Sequence, residues 1–257
     1  MIDRDSAPEG GRRDSAPAGG TKAGAADVER IAGEMESQPA EAVLAWALAT
    51  YHPRLALAWS GAEDIALVDM ILKIDPAARV FLLDTGRLNP ETYNLVDRVR
   101  DKYGCQVEVM FPDAGATQQM VRAKGMNLFY DSIDSRKECC GVRKVEPLGR
   151  MLDGLDAWIT GLRRDQSVTR TEVRKVEIDA AHGGILKINP LADWTHEQVW
   201  SYIKGNSIPY NKLHDLGYAS IGCAPCTRAI SPGEDIRAGR WWWENPDTRE
   251  CGLHIKT

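Results

Sequence analysis

From Val28 onward apolar residues recur at helical spacing, at Ile31, Met35, Val43, Leu44, Ala47 and Leu48, and predict helix over residues 28–49. Short apolar runs then alternate with helical stretches. Residues 55–59 read as a buried strand, followed by a polar turn and a helix over 65–74. Residues 80–83 give a second strand, and Pro90 suits the first turn of a helix ending near Tyr103. Third and fourth strands are predicted at 106–110 and 157–160. Alternation of this kind predicts an α/β fold, a parallel sheet flanked by crossover helices, with ligands gathered at the C-terminal ends of its strands.

Residues 1–26 break this pattern. They are Gly, Ala, Ser, Pro and charge, with a repeated Arg-Asp-Ser-Ala-Pro, and bury too little apolar surface to offset ordering entropy. They are expected to be disordered, leaving a domain over 27–235 and a C-terminal tail over 236–257. A net charge of −5 argues against general polyanion binding, so no nucleic-acid partner is expected. No run approaches the roughly 18 apolar residues of a membrane span, and no secretory signal is visible. The expectation is a cytoplasmic protein without a membrane partner. In a reducing compartment, six cysteines read as metal ligands or catalytic thiols rather than as a disulfide scaffold.

Three predicted strand ends carry distinctive chemistry: Ser60-Gly-Ala-Glu-Asp64, Asp84-Thr-Gly-Arg87 and Gly161-Leu-Arg-Arg-Asp165. A Ser-Gly turn that opens a helix presents backbone N–H groups and the helix dipole to a phosphate. Paired arginines suit bidentate anion recognition. Each signal alone is weak, since a Gly turn is usually only a turn. Their coincidence at three strand ends points to an anionic ligand.

The cysteines say more. Cys223-Ala-Pro-Cys226 is a C-x-x-C, and Cys139-Cys140 is an adjacent pair that opens a helical stretch. Together they suggest one four-thiolate site. Structural zinc commonly uses two such pairs. Consecutive helical side chains diverge by about 100°, however, which suits separate irons of a cluster better than one small ion. An iron–sulfur cluster therefore ranks first, zinc second and a redox disulfide at the C-x-x-C third. Lys144 lies four residues after Cys140, on the same helical face, where its charge would stand beside the cluster and a bound anion. Cys251 has no cysteine neighbour. It sits in a polar tail near Arg249 and His254, a setting that suits a nucleophilic thiolate. Arg237, Arg240 and Trp241-Trp-Trp243 precede it. Those arginines suit an anion, although a solvated stripe with core tryptophans explains these residues equally well. Cys105 reads as structural.

Taken together, Ser60-Gly-Ala-Glu-Asp64, Leu83-Asp-Thr-Gly-Arg87, Cys139-Cys-Gly-Val-Arg-Lys144, Gly161-Leu-Arg-Arg-Asp-Gln-Ser167, Gly222-Cys-Ala-Pro-Cys-Thr227, Gly239-Arg-Trp-Trp-Trp-Glu244 and Glu250-Cys-Gly-Leu-His254 resemble the APS/PAPS reductase family, in its cluster-bearing branch that uses adenosine 5′-phosphosulfate (APS). The resemblance implies an adenine-nucleotide α-hydrolase-like fold with a mobile C-terminal tail. It implies attack of Cys251 on the sulfur of APS, release of AMP, and an S-sulfocysteine that thioredoxin, or a glutaredoxin in some relatives, resolves to sulfite in assimilatory sulfate reduction. It gives Cys139, Cys140, Cys223 and Cys226 to a [4Fe–4S] cluster. Lys144, Arg170, Arg237 and Arg240 fall around the phosphosulfate, and His254 near the thiol. Ser60, Gly61, Leu83, Thr85 and Gly161 line the nucleotide pocket. A homo-oligomer, often a tetramer, is implied as well.

The ATP pyrophosphatases of related fold carry Ser-Gly-Gly-x-Asp-Ser, where this chain has Ala62 and Ile65. That departure disfavours ATP cleavage. A PAPS or dual APS/PAPS reductase is the rival enzyme, and the four paired cysteines favour APS. A metal-stabilised nucleotide sensor without catalysis is the rival from another class, and it has no need of Cys251.

Overall fold

A computed structural model describes residues 25–60, 62–166 and 170–245. Six strands form one sheet in the order β3-β2-β1-β4-β6-β5. They are β1 (Leu55–Ala58), β2 (Arg79–Leu83), β3 (Val107–Met110), β4 (Ala157–Ile159), β5 (Val176–Asp179) and β6 (Ile185–Ile188). All neighbouring pairs are parallel except β5 with β6. The first four strands lie where the apolar runs predict. The β5–β6 hairpin was not predicted: Lys187 and Glu177 face each other across its register and interrupt the apolar signal.

Both faces of the centre of the sheet are covered, so β1 and β4 are continuous apolar runs, while the edge strands β3 and β5 carry Glu108, Glu177 and Asp179. Leu55, Leu57, Val80, Ala157 and Ile159 pack on one side with α1 (Ala25–Glu36), α2 (Ala40–Tyr51), α3 (Ala62–Ile74), α4 (Pro90–Tyr103) and α8 (His196–Gly205). Ala56, Phe81 and Trp158 point the other way, onto Leu148, Met151 and Leu152 of α7 (Glu146–Leu152). The single helix predicted over 28–49 is in fact two, because Pro39 has no N–H to continue the first and instead sits at the N-cap of the second.

α5 (Ala114–Lys124) leads to α6 (Ile133–Cys140), which runs through a π turn at Gly141–Val145 directly into α7. Within that turn the Glu146 N–H reaches back to the Gly141 carbonyl, five residues away. The chain leaves β1 toward β2 on one side, while β4 pairs on its other side. That reversal opens a crevice at the strand ends, the place where such sheets bind ligands. Among the described residues no helix is long and apolar enough to cross a membrane.

Candidate functional site: two cavities with a common wall

The crevice is a cavity at the C-terminal ends of β1, β2 and β4. Ser60, Leu83, Gly161, Arg170, Arg237, Arg240 and Lys144 all line it. Its apolar walls come from Leu88, Leu148, Leu162, Ile221 and Ile236. Asp64 stands at the β1 end, accepting the Ser60 backbone N–H at 2.6 Å and the Ser60 hydroxyl at 3.0 Å. The first N–H of this turn is thus committed to a carboxylate and is not presented to a phosphate. The cavity is polarised, with Asp64 at one strand end and a lysine and three arginines contributed by other segments. Arg170 is buried and donates to Gln166. Among the described residues Lys144 has no hydrogen-bonding or ion-pair partner, leaving its ammonium for a ligand.

A second, smaller cavity is lined by Cys139, Cys140, Cys223 and Cys226 together with Thr85, Arg87, Arg136, Arg143, Lys144, Arg240 and Trp241. The two cysteine pairs, far apart in sequence, therefore meet. Four residues, Lys144, Cys223, Arg240 and Trp241, line both cavities and form the partition between them. The π turn shapes this arrangement, because it re-aims the helix between Cys140 and α7 and leaves Lys144 on the partition. Thr85, expected in the nucleotide pocket, lies in the cysteine cavity instead, its Oγ1 3.2 Å from Cys223 Sγ. The reason is local: the Asp84–Arg87 loop turns back on itself. Asp84 accepts the Gly86 N–H at 2.7 Å, and Gly86 takes φ 68, in the left-handed region.

Burial pushes the Cys139 thiol up to about 11, and Cys226 up to about 12, in each case with neighbouring cysteines adding to the effect. Opposing them are Arg143 and Arg87 for Cys139, and Arg240 for Cys226. Arg143 is buried and donates to the Thr85 carbonyl at 2.7 Å, while its Nε has no partner. A buried, under-satisfied guanidinium beside four thiols is costly unless an anionic group completes the site. Among the described residues no three His, Cys, Asp or Glu side chains converge tightly enough for a single metal ion. The thiols instead surround a space.

The partition is held from behind. Arg136, on α6, makes a two-pronged ion pair with Glu244 at 2.9 and 2.8 Å, both side chains almost wholly buried. Burial opposes the Arg136 charge, but Glu244 and Cys140 outweigh it and its pKa is raised. Removing one partner of such a pair typically costs about 3–5 kcal/mol. Ile236, Arg237, Arg240 and Trp241, assigned to the tail from sequence, thus form part of the cavity walls. Cys251 and His254 lie outside the described residues, as does Gly61. The sequence reading missed Asp64, Arg136, Arg143 and Glu244. The only signal for the last three was their place within or beside the cysteine and tryptophan motifs.

Residues 54–229 match the family described as the phosphoadenosine phosphosulfate reductase domain. An adenosine 5′-phosphosulfate reductase of Burkholderia cepacia is 53% identical over 207 residues, covering 80% of this chain and 82% of that protein. A second of the same name, from Allochromatium vinosum, is 55% identical over 194 residues, covering 76% and 75%. Among solved structures, the phosphoadenylyl-sulfate reductase of Candida auris in a phosphate complex superposes with a TM-score of 0.70 at 29% identity, covering 82% of this chain and all of that one. The chain belongs to the phosphoadenosine phosphosulfate reductase domain family.

Proposed function

We propose that this protein reduces adenosine 5′-phosphosulfate to sulfite and AMP in assimilatory sulfate reduction, using Cys251 as nucleophile and a thioredoxin-type dithiol as reductant. The observation that carries this reading is the polarised cavity, with apolar walls and with Lys144, Arg170, Arg237 and Arg240 lining it. Close relatives named for this activity support it over most of the chain.

In the first stage the Cys251 thiolate attacks the sulfur of bound APS. The bond from that sulfur to the bridging oxygen breaks, and its electron pair leaves on the phosphate of AMP. The four cationic side chains stabilise the negative charge that develops on the sulfuryl oxygens and the departing phosphate. In the second stage a thiolate of the reductant attacks Cys251 Sγ and expels sulfite with the bonding pair. The second thiol then closes a disulfide and frees Cys251, so sulfur gains two electrons and the dithiol loses two. The family resemblance puts His254 near the thiol, in the role of a residue that lowers its pKa.

The cysteine cavity suits a [4Fe–4S] group held by Cys139, Cys140, Cys223 and Cys226. Four thiols spread around a space, an unpartnered Arg143 Nε and surrounding cations match a thiolate-bound anionic group with several metal centres. When bound, it supplies compact charge and cross-links α6 to the Cys223 loop. Lys144 and Arg240, on the partition, are the cationic side chains that line both cavities. A reducing cytoplasm is the compartment in which such thiols persist.

Purified protein given APS and PAPS in competition, with reduced thioredoxin, is expected to show a higher kcat/KM for APS. Cys251→Ser is expected to abolish sulfite release while still binding APS. Sulfite production by that variant would overturn the covalent reading.

A further inference from the structure

We propose that Arg136 and Glu244 are positioning residues for Arg240, acting through the indole of Trp241. The guanidinium of Arg136 lies 4.8 Å from the Trp241 ring centroid, and that of Arg240 lies 4.7 Å from the same ring. Arg136 also sits four residues before Cys140 on α6 and hydrogen-bonds to its thiol. A continuous line of contact therefore runs from the cysteine-bearing helix, through a buried ion pair and an indole, to an arginine that lines the substrate cavity.

Each member of that line is held in one place. Trp241 is 1% exposed and takes φ 42, a left-handed conformation that a tryptophan keeps only where its surroundings enforce it. Its N–H donates to the Cys226 carbonyl at 3.1 Å, and the Glu244 N–H donates to the Trp241 carbonyl at 2.8 Å. The Arg240 backbone bridges to Thr227, and its guanidinium lies over Gly222, where a Cβ would stand 2.4 Å from Nη2. Arg136 and Glu244 do not line the substrate cavity, so neither touches the nucleotide. A buried ion pair gives little net stability compared with an apolar pair, whereas its two-pronged geometry fixes orientation. What this pair orients is the indole, and with it Arg240.

The proposal rests on reading the cavity as a site for an anionic nucleotide. The test is calorimetric titration of the full-length protein carrying Cys251→Ser, with APS and with adenosine, which has no anionic group. Glu244→Gln keeps the shape of the side chain and removes its charge. The expected result is APS affinity lowered by about ten-fold, the order for mis-setting one charge-assisted donor, with adenosine affinity unchanged. In an Arg240→Gln background Glu244→Gln should produce no further loss. If Glu244→Gln fails to fold, the paired Arg136→Gln/Glu244→Gln protein leaves no uncompensated buried charge and is expected to show the same selective loss. Equal loss of APS and adenosine affinity, unchanged APS affinity, or full additivity with Arg240→Gln would overturn the positioning role. Failure of the parent protein to bind APS at all would instead overturn the nucleotide reading.

Discussion

A Cβ on Gly222 would stand 2.4 Å from Nη2 and 2.7 Å from Cζ of Arg240, the mobile end of a side chain. A Cβ on Gly239 would stand 2.3 Å from the Arg228 carbonyl oxygen, which is backbone. The two glycines therefore fail differently. Gly222→Ala is expected to move the guanidinium, raising the KM for APS while leaving the thermal midpoint nearly unchanged. Gly239→Ala must displace a strand-like bridge and is expected to lower the midpoint by several degrees, as a change of 1 kcal/mol or more would do. Differential scanning calorimetry with steady-state kinetics on both variants checks the contrast. Lys144 makes a sharper case, since its ammonium is free among the described residues and faces both cavities. Lys144→Met should cost about 10²–10³ in kcat, the usual loss for one preorganised charge donor. Full kcat in that variant would remove Lys144 from the charge-stabilising set.

At the scale of elements, the strand and helix periods were legible where apolar residues dominate. The strands at 55–58, 79–83 and 157–159 follow from burial on both faces of a parallel sheet, the half-buried strand at 107–110 from its short apolar run, and the helix from Pro90 to Tyr103 from proline at its first turn. The β5–β6 hairpin was not legible, because its buried positions include charged groups satisfied only in three dimensions. Asp179 is one of them, accepting from Trp158 Nε1 at 3.2 Å and lying 2.9 Å from His182 Nδ1. Burial raises its pKa, but the contacts with His182, Lys187 and Trp158 prevail and hold it below the ordinary carboxylate value. A carboxylate with a depressed folded pKa stabilises the protein above its unfolded pKa, and that contribution fades as pH falls through the folded value. Asp179→Asn is therefore expected to destabilise the protein at pH 7, with the difference from wild type shrinking once the pH drops below about 4. Urea unfolding at both pH values measures this. A difference that persisted at low pH would assign the loss to packing instead.

For the molecule as a whole, the cysteine spacing announced a four-thiolate site, and the structure brings both pairs to one cavity. What no spacing could announce is that this cavity shares a wall with the strand-end crevice, since the wall is assembled from the π turn after α6, the Cys223 loop and the residues after Arg237. Thr85 shows the limit plainly. The family resemblance implies the nucleotide side for it, and a loop closed by Asp84 turns it to the cysteine side. The shared wall also gives chemical rivalry, because Cys223 lines the strand-end cavity and is itself a thiol. The central claim is that the attack belongs to Cys251 alone. Full-length protein incubated with APS in the absence of any reductant, then digested and mapped by mass spectrometry, tests it most directly. The account predicts one added SO3 group on the peptide containing Cys251, lost on adding reduced thioredoxin. The same group found on Cys223, or AMP released with Cys251 unmodified, would contradict it.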